Sequence, residues 1–153
     1  MLDITILAFG RLKEDWWRLA VEEYDKRLRP YVRLKVEELK AESFTRSNKE
    51  EAKKIEAERL LKRLARQTEA TVLLLSEDGK QFDSPAFSSL LEKQNRAIIL
   101  VIGGSLGFSS EIAAAYPRIS LSRLTFTHEM ARVILLEQIY RAATIINGKE
   151  YHY

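Results

Sequence analysis

Cysteine is absent from all 153 residues. Disulfides, thiolate metal sites and cysteine nucleophiles are therefore excluded before any motif is read, and a reducing, cytoplasmic setting is expected. Long apolar runs are missing as well. The first, Ile4 to Phe9, follows Asp3 and leads into Arg11, Lys13, Glu14 and Asp15, unlike the apolar stretch of a signal peptide. Nothing further along approaches the length of a membrane span, so no membrane partner is expected. No linker, internal repeat or low-complexity tract breaks the chain. Residues 1–153 are thus expected to form one domain, large enough to bury a core without staples.

Several ligand motifs are also lacking. A dinucleotide fingerprint placed on the glycine-rich stretch would need glycines at 103, 105 and 108, and the last two positions hold Ser105 and Phe108; a Walker-type phosphate loop fails too. His128 and Glu129 open like a zinc-protease motif, but the fifth position is Arg132, so no metal is expected there. The net charge of +3 permits a polyanionic partner without requiring one. Residues 1–66 hold 17 Lys and Arg against 13 Asp and Glu, and the remainder holds 8 against 9. The first half is therefore the better candidate for contact with phosphates.

What is present is an alternation of strand and helix patterns. "ITILAF" reads as a buried strand, and Trp17, Ala20, Val21, Tyr24 and Leu28 recur at helical spacing. After Pro30, "YVRLKVEEL" alternates Val32, Leu34 and Val36 with Arg33, Lys35 and Glu37, as a half-exposed strand near an edge does. A charged helix over 48–66 carries Ala52, Ile55, Leu60, Leu61 and Leu64 on one side, "ATVLLL" reads as a strand, and "EDGK" as its closing turn. Ser84 and Pro85 open a helix over 84–94, "AIILVI" is a further buried strand, and Ser109 starts a short helix. A strand near Leu124–Phe126 and a long helix from His128 to about Ile145 complete the expectation. Nearly continuous apolar strands between helices predict an α/β fold with a mainly parallel sheet covered on both faces.

In such sheets ligands bind outside the carboxyl ends of the strands. Gly103 and Gly104 stand at that position after "AIILVI", where glycine admits a ligand close to the backbone and permits positive φ. Thr127 is placed to cap the last helix, and His128 and Arg132 lie one turn apart on it. That helix has more apolar circumference than one sheet face covers, which suggests a partner subunit. The tail "INGKEYHY", with the second histidine at 152, reads by itself as a frayed end.

In order along the chain, "ITILAFGRLKEDWWRLAVEEYDKRL", "VLLLSEDGK", "VIGGSLGF" and "LSRLTFTHEMARVILLEQIYRAATIINGKEYHY" resemble the RlmH-type ribosomal RNA methyltransferases of the SPOUT class. The resemblance spans the whole chain. It implies a homodimer whose subunit ends in a trefoil knot, a feature no general connection rule would suggest, with S-adenosylmethionine bound in the knot. By that likeness the cofactor is lined by Leu75, by Gly104 with Gly103 beside it, and by Ser122, Arg123, Leu124, Thr125, Phe126 and Thr127. His128, Arg132, Tyr151 and His152 are implied on the substrate side. The chain departs from the family pattern at Thr127 and Glu150, where proline is usual, and at Tyr153, where a basic residue is usual. The implied reaction is metal-free methyl transfer to N3 of a pseudouridine in the helix 69 loop of 23S ribosomal RNA within the ribosome. Two other readings stay open at this point: a SPOUT methyltransferase acting on transfer RNA, and an RNA- or nucleotide-binding module without catalysis.

Overall fold

The computed structural model describes residues 1–151. Strands and helices alternate throughout: β1 (Leu2–Phe9), α1 (Asp15–Leu28), β2 (Val32–Leu39), α2 (Lys49–Leu64), β3 (Thr71–Gln81), α3 (Ser84–Glu92), β4 (Ile98–Ile102), α4 (Ser110–Ala115), β5 (Arg118–Ser120) and α5 (His128–Ile146). The sheet order is β2-β1-β4-β3-β5, and every pairing is parallel. β2 is an edge strand, as its alternating charge predicts.

Side-chain alternation sorts the core into two layers. Ile4, Ile6 and Ala8 of β1 and Ile98, Leu100 and Ile102 of β4 face α1, α3 and α5. Leu7 and Phe9, with Leu74, Ile99 and Val101, face α2 and α4. The two middle strands are thus apolar on both faces because helices cover both. The wide apolar surface of α5 is largely met inside the chain, since this helix packs between α1 and α3, and Ile139 is fully buried.

The cap of α3 is Asp83, one residue earlier than Ser84; its Oδ1 accepts the Ala86 N–H at 2.7 Å. The segment Leu124–Phe126 is loop, not strand, and the fifth strand is Arg118–Ser120. Leu124 is 73% exposed, so its apolar character marked no burial. "EDGK" does not turn back either. β3 continues through it with a bulge, so that Ile119 of β5 pairs with both Leu75 and Lys80. A side chain at Gly79 would come within 2.6 Å of the Ile119 backbone, which is why glycine fits that crossing.

Candidate functional site

A cleft of about 920 Å³ opens outside the carboxyl ends of β3, β4 and β5. Three segments build it. The bulge of β3 brings Ser76, Glu77 and Asp78, the chain leaving β4 contributes Gly103 to Phe108, and the loop before α5 contributes Leu121, Ser122 and Leu124 to Thr127. Each segment is fastened locally. The Gly107 N–H donates to the Gly104 carbonyl at 3.0 Å, closing a tight turn, and Ser109 Oγ accepts from the Ile112 N–H to cap α4. Ser120 Oγ donates to the Ser122 carbonyl at 2.8 Å, the Leu124 N–H donates to Ser122 Oγ, and Thr127 Oγ1 accepts from the Met130 N–H to cap α5.

The two glycines are needed for space, and neither has positive φ. A Cβ at Gly104 would lie 3.3 Å from Phe9 Cβ and 3.5 Å from both Glu56 carboxyl oxygens, and one at Gly103 would meet the Phe108 ring at 3.3 Å. The crowding comes from the protein's own atoms behind the turn, and the expectation of a left-handed backbone at these two glycines is corrected. Glu56, on α2, is 5% exposed; one carboxyl oxygen accepts the Glu42 N–H at 3.0 Å, and the other has no partner among the described residues. Burial pushes its carboxyl above the usual carboxylate range. The sequence carried a signal for it, because Glu56 interrupts the stripe Ala52, Leu60, Leu64 at a spacing of four.

Of the residues singled out from sequence, Leu75, Gly103, Gly104, Ser122, Leu124, Thr125, Phe126, Thr127 and His128 come together in this cleft, whereas Arg123, Arg132 and Tyr151 do not line it. Arg132 is 1% exposed; it donates through Nη1 to Glu38 Oε1 at 2.8 Å and through Nη2 to the Gly10 carbonyl at 3.2 Å. Tyr151 packs edge-on against Tyr140 with ring centroids 4.8 Å apart, under the Arg141 guanidinium. His152 lies outside the described residues. Sequence reading missed Glu77, Asp78, Phe108 and Glu129, whose place in the cleft depends on the β3 bulge and on loop paths that no local pattern encodes.

Chemically, the cleft offers apolar surface from Leu75, Ile102, Phe108 and Leu121 for a flat ring, and carboxylates of Glu77, Asp78 and Glu129 for a cationic group. The Asp78 carboxylate is paired with Arg118, and its carboxyl is held below the usual range, first by the Ser76 hydroxyl and then by that cation. Among the described residues no group of three His, Cys, Asp or Glu is placed to hold a metal ion.

An all-parallel α/β sheet with a cleft at its carboxyl edge, fenced by a Gly-Gly turn, defines the class of open α/β proteins, whose ligands bind outside the strand ends. Sequence comparison gives the family. Residues 2–152 match the family model described as "Predicted SPOUT methyltransferase", and the chain belongs to the SPOUT methyltransferases. It is 41% identical, over 99% of its length and all of the relative's, to a protein of Kosmotoga olearia named ribosomal RNA large subunit methyltransferase H. A Pelobacter propionicus protein of the same name is 40% identical over 98% of this chain and 99% of its own. Solved structures agree on the fold. A probable methylase family protein from Haemophilus influenzae superposes with a TM-score of 0.56 at 12% identity, over 97% of this chain and 67% of that one. Ribosomal RNA small subunit methyltransferase E from Neisseria gonorrhoeae, bound to S-adenosylmethionine, gives 0.50 at 14% identity, over 90% of this chain and 65% of that one.

Proposed function

We propose that this chain is a cytoplasmic, homodimeric methyltransferase that uses S-adenosylmethionine to methylate N3 of a pseudouridine in the helix 69 loop of 23S ribosomal RNA, in the knotted fold of its family. The observation that carries the reading is the convergence of Leu75, Gly103, Gly104, the loop before α5 and His128 on one cleft. The full-length relatives supply the substrate class by their names. The cleft's contents fit the donor. Leu75, Ile102, Phe108 and Leu121 would pack on its adenine, and Glu77, Asp78 and Glu129 would face its ammonium and sulfonium charges.

Sulfonium chemistry supplies an activated methyl, so that the N–C bond forms as the S–C bond breaks to a neutral thioether and the N3 proton passes to a base. The protein's own work is then placement and proton removal. The capped start of α5 fixes the backbone of His128, whose ring lines the cleft and whose Nδ1 has no partner among the described residues. It is a base of the required type at the required mouth. Arg123, exposed on the adjoining loop, faces solvent where RNA phosphate would approach. Tyr151, packed on Tyr140 away from this chain's own cleft, and His152 would stack on the target base at the cleft of the second subunit of the proposed dimer.

Labelled methyl transfer into purified ribosomes, large subunits and transfer RNA, followed by nucleoside mass spectrometry, tests this. Expected is label in the large-subunit RNA as a methylated pseudouridine. Label in transfer RNA alone would replace the substrate, and donor binding without transfer to any RNA would leave a binding module.

A further inference from the structure

Glu37 and Glu38 are neighbours at the end of the edge strand β2, and strand alternation sends them to opposite faces. Glu37 meets Arg63 of α2, while Glu38 meets Arg132 of α5. Arg132 is one turn beyond His128, and its second nitrogen donates to the carbonyl of Gly10, the residue that follows β1. Gly10 is tied at its other backbone group too, its N–H donating to the Leu39 carbonyl at 3.0 Å. It has φ +92°, a conformation that side chains resist. The place where its Cβ would stand is already taken, 3.1 Å from His128 Cε1 and 3.5 Å from Nε2.

The imidazole is therefore packed on the bare face of Gly10. Among the described residues its Nδ1 is buried with no hydrogen-bond partner, and Nε2 lies 3.3 Å from Glu129 Oε1. The ring thus rests on Gly10 on one side and faces Glu129 at Nε2. Gly10, Glu38 and Arg132 do not line the cleft themselves, and His128 does.

We propose that Gly10, Glu38 and Arg132 form a positioning device that holds the His128 imidazole at the mouth of the cleft from inside the protein. The proposal rests on the reading of His128 as part of the methyl-transfer site. On it, Arg132 serves RNA methylation without touching RNA: its guanidinium sets the height of Gly10 against the ring, and Glu38 aims the guanidinium. Arginine is suited to this because its planar fork holds two acceptors at fixed separation.

The chain's two histidines make the test direct. In a His152→Gln background His128 is the sole imidazole, and its ring resonances are read by NMR without assignment. Glu38→Ala is the main variant, since the Glu38 side chain is 38% exposed and contributes no apolar packing, although its loss leaves the buried Arg132 without a counter-charge, so folding is checked by circular dichroism; Gly10→Ala is the second, and Glu38→Gln the conservative control. Expected are displaced ring resonances in both alanine variants and, in the chain with His152 intact, a fall in kcat of about tenfold, as misplacement of a reacting group produces. Donor affinity and the KM for ribosomes should stay within about twofold, and Glu38→Gln should recover most of the rate. Unmoved ring resonances in both alanine variants would overturn the proposal whatever the activity. Displaced resonances with unchanged kcat would overturn the reading of His128 in the site while leaving the positioning contact intact.

Discussion

The pairing of Glu37 with Arg63 makes the stability of this protein depend on acid in a calculable way. Arg63 Nε and Nη2 donate to the two carboxyl oxygens at 2.6 and 2.7 Å, and Lys35 Nζ lies 2.7 Å from one of them. The hydrogen bonds from Arg63, ahead of those from Lys35, hold the Glu37 carboxyl at about 2, below its ordinary 4.5. A pKa lower in the folded chain stabilises the fold above pH 4.5, and that contribution is lost as pH falls from 4.5 towards 2. The shift corresponds to about 3 kcal/mol at neutral pH; with a fifth of the Glu37 side chain open to solvent, screening reduces the working figure to ~2 kcal/mol. Glu37→Gln should therefore lower Tm by roughly 4–8 °C at pH 7 and by little near pH 2. Glu56 acts in the opposite sense. Its carboxyl is raised by burial, so its contribution is complete below 4.5 and lost as pH rises through the folded value, and Glu56→Gln, which keeps an acceptor for the Glu42 N–H, should gain on wild type as pH rises. Urea unfolding from pH 7 to pH 2.5 reads both differences. A Glu37→Gln curve offset from wild type by the same amount at every pH would refute the electrostatic account.

The framework was legible because its signals are local. Four of the five strands, all five helices, the edge position of β2 and the two-faced burial of β1 and β4 follow from apolar period and charge alternation. The Gly-Gly turn was legible as the cleft end of β4 for a general reason, that open α/β sheets form their crevice outside the carboxyl ends of the strands. What was illegible depends on contacts between distant segments. The bulge in β3 exists because β5 crosses at Gly79, and a turn signature cannot report a strand that arrives forty residues later. Arg132 is expected from the sequence one turn from His128 and, by the resemblance, on the substrate side; its burial depends on Glu38, 94 residues away, and on the Gly10 carbonyl. Ile139 reads as spare apolar surface for a partner until α1 and α3 are seen to enclose the same helix.

Three further outcomes are expected. S-adenosylmethionine or its demethylated product should raise Tm, by the equivalent of about 2.7 kcal/mol at a hundredfold excess over Kd, and Gly104→Val should abolish the shift because its side chain would be forced against Phe9 and Glu56; scanning fluorimetry decides, and a folded Gly104→Val protein that binds normally would contradict it. Ile139→Glu should lose the fold itself by circular dichroism, by several kcal/mol for an unpaired charge in the core, while light scattering of the wild type should find a dimer at micromolar concentration. Deletion of residues 150–153 separates the two meanings of the tail. It removes the edge-on contact of Tyr151 with Tyr140 and the cation above it, together worth about 1 kcal/mol at a surface site, so the fold and donor binding should survive with a Tm a few degrees lower. If Tyr151 and His152 close over the target base, methylation of ribosomes should nevertheless fall by orders of magnitude, far beyond what that small loss of stability can produce. Because donor binding is expected to persist, the defect should appear in transfer and not in loading. A truncated protein that methylates ribosomes at the wild-type rate would reduce Tyr151 to a packing residue on α5 and remove the tail from the site.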